Sequence, residues 1–191
     1  MSDVGTAPRT RVRLTRPVAF IGFMGAGKSC VAEALAERLG VALIDLDREI
    51  ESVSGMSVAE LFEHHGEPFF RTLESELLED ALRRAEPAII ACGGGVTLDP
   101  RNTRLLHENA LVIYLRVSAE EVVRRLDMDS TRPLFMAIED PAELALFIEQ
   151  RESRYERISD IRVETDGLSV DTVVEHVINE IEEGGYGVFH P

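Results

Sequence analysis

The sequence predicts an α/β fold in which a parallel sheet is covered by helices on both faces. Short apolar runs rich in β-branched residues alternate with longer stretches of helical spacing, the pattern expected of consecutive strand–helix units. A glycine-rich loop at residues 22–29 stands between the first apolar run and the first helical stretch. The chain has 191 residues, which is enough for one well-buried domain and few for two. We therefore expect one α/β domain built around that loop.

Five segments are predicted to be strands because they are short, apolar and rich in β-branched residues: 18–22, 41–44, 88–92, 110–116 and 161–164. Seven segments have helical spacing: 28–39, 57–64, 67–84, 100–108, 119–126, 141–158 and 170–182. In the first of these, Val31, Leu35 and Leu39 form one apolar stripe. Ser118 and Asp140 are natural N-caps for the helices that follow them.

Both ends of the chain are predicted to lie outside the domain, which we place at residues 17–183. Residues 1–16 are short, arginine-rich and free of aromatic side chains, which favours a flexible solvated arm over a nucleic-acid-binding arm or a targeting segment. Residues 184–191 contain three glycines, which weaken regular structure, so we expect a loose tail.

The chain is strongly acidic, since 20 Lys and Arg face 35 Asp and Glu and give a net charge of −15. This charge repels nucleic acid and anionic membranes, so we expect neither as a partner. No apolar run suits a membrane span and no secretory signal is evident, which predicts a cytoplasmic protein. The two cysteines, Cys30 and Cys92, are too few for a disulfide framework, and we expect Cys30 to be packed. Binding an anion would require cationic side chains that converge locally.

Residues 22–29 match the pattern G-x-x-x-x-G-K-[ST] between a strand and a helix, which indicates a polyphosphate-binding loop. Gly22 and Gly27 permit the backbone torsions that let successive amides point at a phosphate. Lys28 is placed to reach β- and γ-phosphate oxygens, and Ser29 is short enough to ligate Mg²⁺ at the start of the helix. Nucleotide binding is therefore the first functional hypothesis.

Asp45 and Asp47 close the second predicted strand. Alternation along a strand would place both carboxylates on the same side of the pleat, at the carboxyl edge where ligands of open α/β sheets bind. One carboxylate can hold a water of Mg²⁺, and the other can orient or deprotonate an attacking hydroxyl. The alternative is a pair of acids that cap a helix.

Three consecutive glycines, Gly93, Gly94 and Gly95, follow the third predicted strand and expose backbone amides that a side chain would cover. Taken alone, such a run is typical of an ordinary turn. Arg71 and Glu74 are three residues apart on a predicted helix, so the carboxylate can hold the guanidinium in one orientation. A solvated surface ion pair is an equally good interpretation of these two residues.

Residues 127–135 interrupt the helical spacing with polar residues and a proline, as a mobile loop would. Arg132 lies in this segment, and an arginine on such a loop can close over phosphates and neutralise charge that develops during transfer. Five candidate cations suit two anionic ligands, a nucleotide and a carboxylate-bearing acceptor: Lys28, Arg71, Arg125, Arg132 and Arg151.

With these motifs together the chain resembles the shikimate kinases, small P-loop enzymes that transfer the γ-phosphate of ATP to the 3-hydroxyl of shikimate. The resemblance covers roughly residues 17–181 and rests on an ordered set of motifs: residues 22–29, Asp45-Leu46-Asp47, Phe70-Arg71 with Glu74, residues 93–95, Arg132-Pro133-Leu134, and Arg151 four residues before Tyr155. It implies a P-loop NTPase fold with a five-stranded parallel sheet in the order 2-3-1-4-5. It also implies a substrate-binding segment after the second strand and a lid at about 127–138.

The resemblance further implies roles for individual residues. Asp47, Lys28 and Arg132 would be catalytic, with Mg²⁺ as cofactor held by Ser29 and, through water, by Asp45. ATP and ADP would contact Gly25, Ala26, Gly27, Lys28, Ser29, Cys30, Arg125 (near the adenine) and Arg132. Shikimate would contact Asp47, Arg71, Gly93, Gly94, Gly95, Arg151, Phe62 and Phe70. The expected product is 3-phosphoshikimate, made by a monomer on the pathway to chorismate and aromatic amino acids.

Two departures from the family pattern concern the nucleotide. Cys30 stands where the family usually has Ser or Thr, which removes a hydroxyl contact to the α-phosphate, and residues 165–168 lack the basic and Asn residues that some members place around adenine. Two alternative functions stay open: a related small-molecule kinase of the gluconate kinase type, and a non-catalytic regulator that binds nucleotide or shikimate. Arg71 and Arg151 favour a carboxylate-bearing acceptor, and no helix-turn-helix pattern precedes the loop.

Overall fold

The computed structural model describes residues 12–126 and 141–189. Its strands are β1 (Val12–Leu14), β2 (Val18–Ile21), β3 (Ala42–Asp45), β4 (Ala88–Ala91), β5 (Leu111–Arg116), β6 (Ile161–Glu164) and β7 (Gly187–Phe189). Its helices are α1 (Lys28–Leu39), α2 (Leu46–Ser54), α3 (Val58–Leu82), α4 (Pro100–Asn109), α5 (Ala119–Leu126), α6 (Pro141–Ile158) and α7 (Val170–Glu183), with a 3₁₀ turn at Val96–Leu98. None of the helices in these two ranges is both long and apolar enough to cross a lipid bilayer.

The main sheet consists of five parallel strands in the order β3-β4-β2-β5-β6. Counted among the five predicted strands this order is 2-3-1-4-5, so the predicted topology is confirmed. Strand β2 is central, and its Val18 pairs with Ile89 of β4 on one side and with Leu111 of β5 on the other. The loop after β2 therefore begins at the middle of the carboxyl edge, where its neighbouring strands also end.

Helices cover both faces of this sheet, which explains why its strands are continuous apolar runs. Phe20 faces the layer formed by α1 and α7, where Leu35 and Val177 are fully buried. Its neighbour Ile21 faces the opposite layer, where Leu78 of α3 is fully buried. Alternate residues of one strand thus enter two apolar cores, and both hold the strand end rigid beneath the loop.

The helices predicted at 57–64 and 67–84 form one element, α3, with a break at Gly66. There the backbone has φ 78° and ψ 167°, outside the helical region and in a range that glycine adopts without a steric penalty. Pro68 follows in the first turn of the second half, where its missing N–H costs no helical hydrogen bond. The break lets the second half of α3 start in a new direction, with Arg71 and Glu74 near the turn after β4 and its last residue, Leu82, shortly before the start of β4.

Part of each predicted terminal segment has regular structure. Val12–Leu14 pairs antiparallel with Gly187–Phe189 in a second, two-stranded sheet. Leu14 is only 6% exposed and joins the apolar core on the α1 and α7 side, with Tyr186 packed against that core. The prediction of a flexible arm and a loose tail is therefore wrong for these six residues, because burial of Leu14 fixes the strand pair. Residues 1–11 and 190–191 lie outside the described ranges.

We expect Leu14→Ala to lower the free energy of unfolding by about 2–3 kcal/mol, since it removes a buried side chain and leaves a cavity at the edge of the core. Urea denaturation followed by circular dichroism measures this change. Arg13→Ala is the matched control, because Arg13 is an exposed residue of the same strand. Equal stabilities of the two variants would show that the strand pair contributes no packing.

Candidate active site

The loop at residues 22–29 joins β2 to α1 in the way its motif predicts. Gly22 has φ 141°, and a Cβ there would collide with the carbonyl oxygen of Leu115 on β5. Gly27 has φ 88° and is the N-cap of α1. The Nζ of Lys28 donates hydrogen bonds to the carbonyl oxygens of Gly22 and Phe23, each at 2.9 Å. The lysine ammonium therefore lies back over the loop that would hold the phosphates.

The other residues of the loop that are predicted to bind nucleotide follow along the same turn into α1. Gly25 has φ 77°, Ala26 is buried, and Ser29 lies in the first turn of α1. Cys30 follows Ser29 in that turn and is exposed. The expectation that its thiol is packed is therefore wrong, because the apolar stripe of α1 begins one residue later, at Val31.

Helix α2 was not predicted, and it changes the geometry of the two aspartates. Asp45 ends β3 and caps α2, since its Oδ1 accepts a hydrogen bond from the backbone N–H of Arg48 at 3.3 Å. Asp47 lies in the first turn of α2. The prediction that both carboxylates extend from one side of a strand is wrong, because α2 begins at Leu46, directly after β3. The helix-capping interpretation is correct for Asp45.

Charged groups nevertheless converge at the end of β4, around the thiol of Cys92. Burial raises the pKa of Cys92, and the negative charge of Glu74 raises it further. Lys28, Asp47 and Asp45 are also close enough to act on this thiol, the lysine in the opposite direction. One cation from the phosphate loop and carboxylates from β3, α2 and α3 thus lie in the neighbourhood of the end of β4.

The first and third glycines of the triplet provide room for side chains of this group. A Cβ on Gly93 would lie 2.6 Å from Oε1 of Glu74 and 3.0 Å from Oδ1 of Asp47. A Cβ on Gly95 would lie 2.6 Å from Cζ of Arg71. Since all three separations are shorter than normal contacts, glycine at these two positions lets the charged side chains lie against the turn.

Gly94 lies between the phosphate loop and α6. A Cβ on it would lie 3.4 Å from the backbone nitrogen of Met24 in the phosphate loop. Its carbonyl oxygen accepts hydrogen bonds from the hydroxyl of Tyr155 at 2.6 Å and from Nη1 of Arg151 at 3.4 Å. The triplet therefore joins the loop to the helix that carries Arg151.

Arg71 and Glu74 form an ion pair in which the carboxylate is buried and the arginine half-buried, so the interpretation as a solvated surface pair is wrong. Glu74 is completely buried, and its Oε2 accepts a hydrogen bond from Nη1 of Arg71 at 2.7 Å. Burial raises the pKa of Glu74, although the charge of Arg71 opposes the shift. Glu67 accepts two further hydrogen bonds from Arg71, at 3.1 and 3.0 Å. Two carboxylates thus hold one guanidinium, and together they fix its orientation.

The two phenylalanines predicted to line the acceptor pocket lie beside this pair. The rings of Phe62 and Phe70 have centroids 4.8 Å apart, and Phe70 is buried against Ile50 of α2. The guanidinium of Arg71 lies over the ring of Phe70 at 5.1 Å. Contact of either ring with a bound acceptor stays a prediction.

Arg125 links the phosphate loop to the segment after β6. Its Nη1 donates to the carbonyl oxygen of Gly25 at 2.9 Å, and its Nη2 donates to the carbonyl oxygen of Thr165 at 2.5 Å. Its Nε donates to Glu121 at 2.7 Å. Hydrogen bonding from Arg124 lowers the pKa of Glu121 to about 2, and Arg125 contributes in the same direction. Arg125 is therefore fixed at the rim of the loop, while its contact with adenine stays a prediction.

Two predicted features, Arg132 and the lid at 127–138, lie outside the described residues.

Three residues of the candidate site were missed by sequence reasoning, namely Glu121, Phe23 and Phe147. Glu121 lies four residues before Arg125 on a helix, a spacing that signals an ion pair. Phe147 likewise lies four residues before Arg151 on α6, and its ring centroid is 4.6 Å from Cζ of that arginine. The ring of Phe23 lies 5.6 Å from the same atom. No local signal predicts this second contact, because it joins segments far apart in the chain.

Comparison with known proteins places the chain among small-molecule kinases. A model of the shikimate kinase family matches residues 24–182. The shikimate kinase of Geobacter sulfurreducens is 40% identical over 168 residues, which cover 88% of this chain and 92% of the relative. That of Dehalococcoides mccartyi is 38% identical over 172 residues, covering 90% and 97%. Both relatives are therefore matched over nearly their whole length.

Solved structures agree with the sequence relatives. Shikimate kinase from Acinetobacter baumannii in complex with shikimate has a TM-score of 0.81 and 29% identity, with 88% of this chain and 94% of that one covered. A gluconokinase from Sinorhizobium meliloti has a TM-score of 0.57 and 16% identity, which shows a common fold and no more. The chain belongs to the shikimate kinase family.

Proposed function

We propose that this protein transfers the γ-phosphate of ATP to the 3-hydroxyl of shikimate, giving 3-phosphoshikimate and ADP on the pathway to aromatic amino acids. The observation that carries the proposal is the packing of the glycine triplet. Its residues contact the phosphate loop at Met24, the carboxylate of Asp47, and the guanidinium groups of Arg71 and Arg151. A phosphate donor site and a site for a small anionic alcohol therefore share one turn.

On the donor side, the backbone of residues 25–30 and the ammonium of Lys28 would hold the phosphates of ATP. Lys28 contacts two carbonyl oxygens of its own loop, so its charge is positioned before a nucleotide arrives. Phosphoryl transfer depends mainly on positioning and on stabilising the charge of the transferred group. A lysine held in place by its loop supplies that stabilisation without reorganisation.

We infer that Mg²⁺ accompanies ATP, because the residues present suit it. Ser29 offers a hydroxyl in the first turn of α1, and Asp45 offers a carboxylate at the end of β3. In the part of the chain that the structure describes, no group of three or more His, Cys, Asp or Glu could hold a metal by itself. Such a sparse set of hard oxygens fits Mg²⁺, which keeps several waters and binds through one or two protein oxygens and substrate phosphates. When bound it would neutralise phosphate charge.

On the acceptor side, Asp47 would accept a hydrogen bond from the attacking hydroxyl and orient it or take its proton. The guanidinium groups of Arg71 and Arg151 would bind the carboxylate of shikimate, with the ring of Phe62 beside them. Because Glu67 and Glu74 hold Arg71 from two directions, that arginine would present one fixed face to the ligand.

We also infer a monomeric cytoplasmic enzyme with no nucleic-acid partner. The net charge of −15 opposes binding to nucleic acid. Both cysteines are free thiols, which suits a reducing compartment. Gel filtration with light scattering measures the oligomeric state.

The activity is tested by ADP release from ATP and Mg²⁺ in the presence and absence of shikimate. Wild-type protein is expected to release ADP only with shikimate, and gluconate in its place should give no turnover. Asp47→Asn should reduce kcat by about 10²- to 10⁴-fold, the usual contribution of a general base, while ATP binding measured by calorimetry stays unchanged. An undiminished kcat in this variant would remove Asp47 from the mechanism, and no shikimate-dependent turnover in the wild type would contradict the proposed reaction.

Arg125→Ala should raise the KM for ATP by about tenfold or more, because charged hydrogen bonds to Gly25 and Thr165 are lost. The KM for shikimate should not change. Arg124→Ala is the control: it removes the other guanidinium bound to Glu121, and that side chain is 61% exposed. If both variants raise the KM for ATP equally, the effect comes from Glu121 alone and the contact of Arg125 with the loop has no role.

Gly93→Ala should reduce kcat/KM for shikimate by about 100-fold, because its Cβ would displace the carboxylates of Asp47 and Glu74. Gly40→Ala serves as a comparison, since a Cβ there meets nothing within 4 Å and its φ of 67° predicts only a loss of stability. Steady-state kinetics and thermal unfolding of both variants separate the two effects. Wild-type kinetics for Gly93→Ala would show that the two carboxylates can move without cost.

A further inference from the structure

The two arginines proposed to bind the acceptor carboxylate differ in how they are held. Arg71 forms ion pairs with Glu67 and Glu74, at 3.0 and 2.7 Å. Arg151 forms no ion pair with any carboxylate of residues 12–126 and 141–189; its contacts there include the carbonyl oxygen of Gly94 and two aromatic rings. Because two anions already balance Arg71, Arg151 supplies most of the positive charge that an acceptor carboxylate would experience.

The aromatic contacts of Arg151 come from two separate elements. Its Cζ lies 4.6 Å from the ring centroid of Phe147 on α6 and 5.6 Å from that of Phe23 in the phosphate loop. Both distances fall within the range of cation–π attraction. The two rings also contact each other edge to face, with centroids 6.4 Å apart and planes at 75°. The guanidinium thus lies in a cleft formed by two rings.

The exposure of the two rings shows that Phe147 is not placed there by the core. Phe23 is 2% exposed and belongs to the core, whereas Phe147 is 40% exposed. Packing in the core therefore does not account for a phenylalanine at this position. Phe147 lies one helical turn before Arg151 and is on the same face of α6. Its contacts with the guanidinium of Arg151 and with the ring of Phe23 are the interactions that the described residues offer for it.

We propose that Phe147 is a positioning residue for acceptor binding, which holds the guanidinium of Arg151 in the acceptor site without neutralising it. A carboxylate in the same place would hold the arginine and cancel its charge, as at Arg71. An aromatic face attracts the cation through its quadrupole and leaves the N–H groups at the guanidinium edge for the ligand. This inference rests on the proposed function, since it concerns the affinity of that site for a carboxylate.

Phe23 gives this arrangement a connection to the donor site. Its carbonyl oxygen accepts the hydrogen bond from Lys28, and its ring contacts both Arg151 and Phe147. The same residue therefore touches the lysine proposed for the ATP phosphates and the arginine proposed for the acceptor.

The test measures binding of shikimate to the full-length protein by calorimetry, together with steady-state kinetics. Phe147→Leu keeps an apolar side chain and removes the π face; it should raise the Kd and KM for shikimate by about two- to fivefold, with kcat unchanged. Phe147→Tyr keeps the π face and should behave as the wild type does. Leu146→Ala is the matched control, since Leu146 is the adjacent residue of α6, is 58% exposed and also apolar.

A second ligand identifies the group through which Phe147 acts. An analogue of shikimate in which a hydroxymethyl group replaces the carboxylate should bind equally to the wild type and to Phe147→Leu, because it lacks the charge that Arg151 recognises. Equal loss of affinity for both ligands would overturn the proposal, since the ring would then act by packing the pocket. The same conclusion follows if Phe147→Leu binds shikimate as the wild type does, or if Phe147→Tyr is impaired as strongly as Phe147→Leu.

The experiment distinguishes failure of the proposed kinase function from failure of the proposal for Phe147. If the wild type binds shikimate without turnover, the kinase assignment fails and the comparison of Kd values still decides the role of Phe147. If the wild type binds no shikimate, both the assignment and this inference are overturned. Wild-type turnover with no effect of Phe147→Leu overturns this inference alone.

Discussion

The close packing of Gly94 against the phosphate loop is the constraint on which the rest of the site depends. A Cβ on Gly94 would lie 3.4 Å from the backbone nitrogen of Met24, so the turn after β4 and the loop after β2 lie one side-chain atom apart. This approach is possible because β2 and β4 are parallel neighbours in register. It brings the proposed donor site and the proposed acceptor site within reach of each other, as transfer of a phosphoryl group would require.

The glycines on either side of Gly94 leave room for charged side chains to pack against the turn. Asp47 and Glu74 lie against Gly93, and the guanidinium of Arg71 lies against Gly95. A single methyl group at Gly93 or Gly95 would occupy the space of a charged atom. The triplet is therefore a packing requirement for side chains from α2 and α3, and its proposed contacts with substrate are made from that same surface.

The protein carries a net charge of −15, yet its proposed function requires it to bind two anions. Each cation of the site is held by a different kind of partner. Arg71 is balanced by carboxylates, Arg125 is shared between Glu121 and backbone carbonyls, and Arg151 is held by aromatic rings and a carbonyl oxygen. Lys28 lies over its own loop. Positive charge is thus kept where ligands would bind, while other arginines, such as Arg38 and Arg162, form ion pairs away from the site.

The sequence by itself predicted the five strands of the main sheet, their order and the phosphate loop, because periodicity and the G-x-x-x-x-G-K-S motif are local properties, and it supplied most of the candidate site residues. It did not reveal α2, whose nine residues bury only Leu46 and Ile50, nor the pairing of β1 with β7. Only the tertiary structure decided that Asp45 caps a helix, that Glu74 is buried, and that Phe23 and Phe147 enclose Arg151. These features arise where segments far apart in the chain pack together, and burial and charge balance there depend on neighbours that no local pattern specifies.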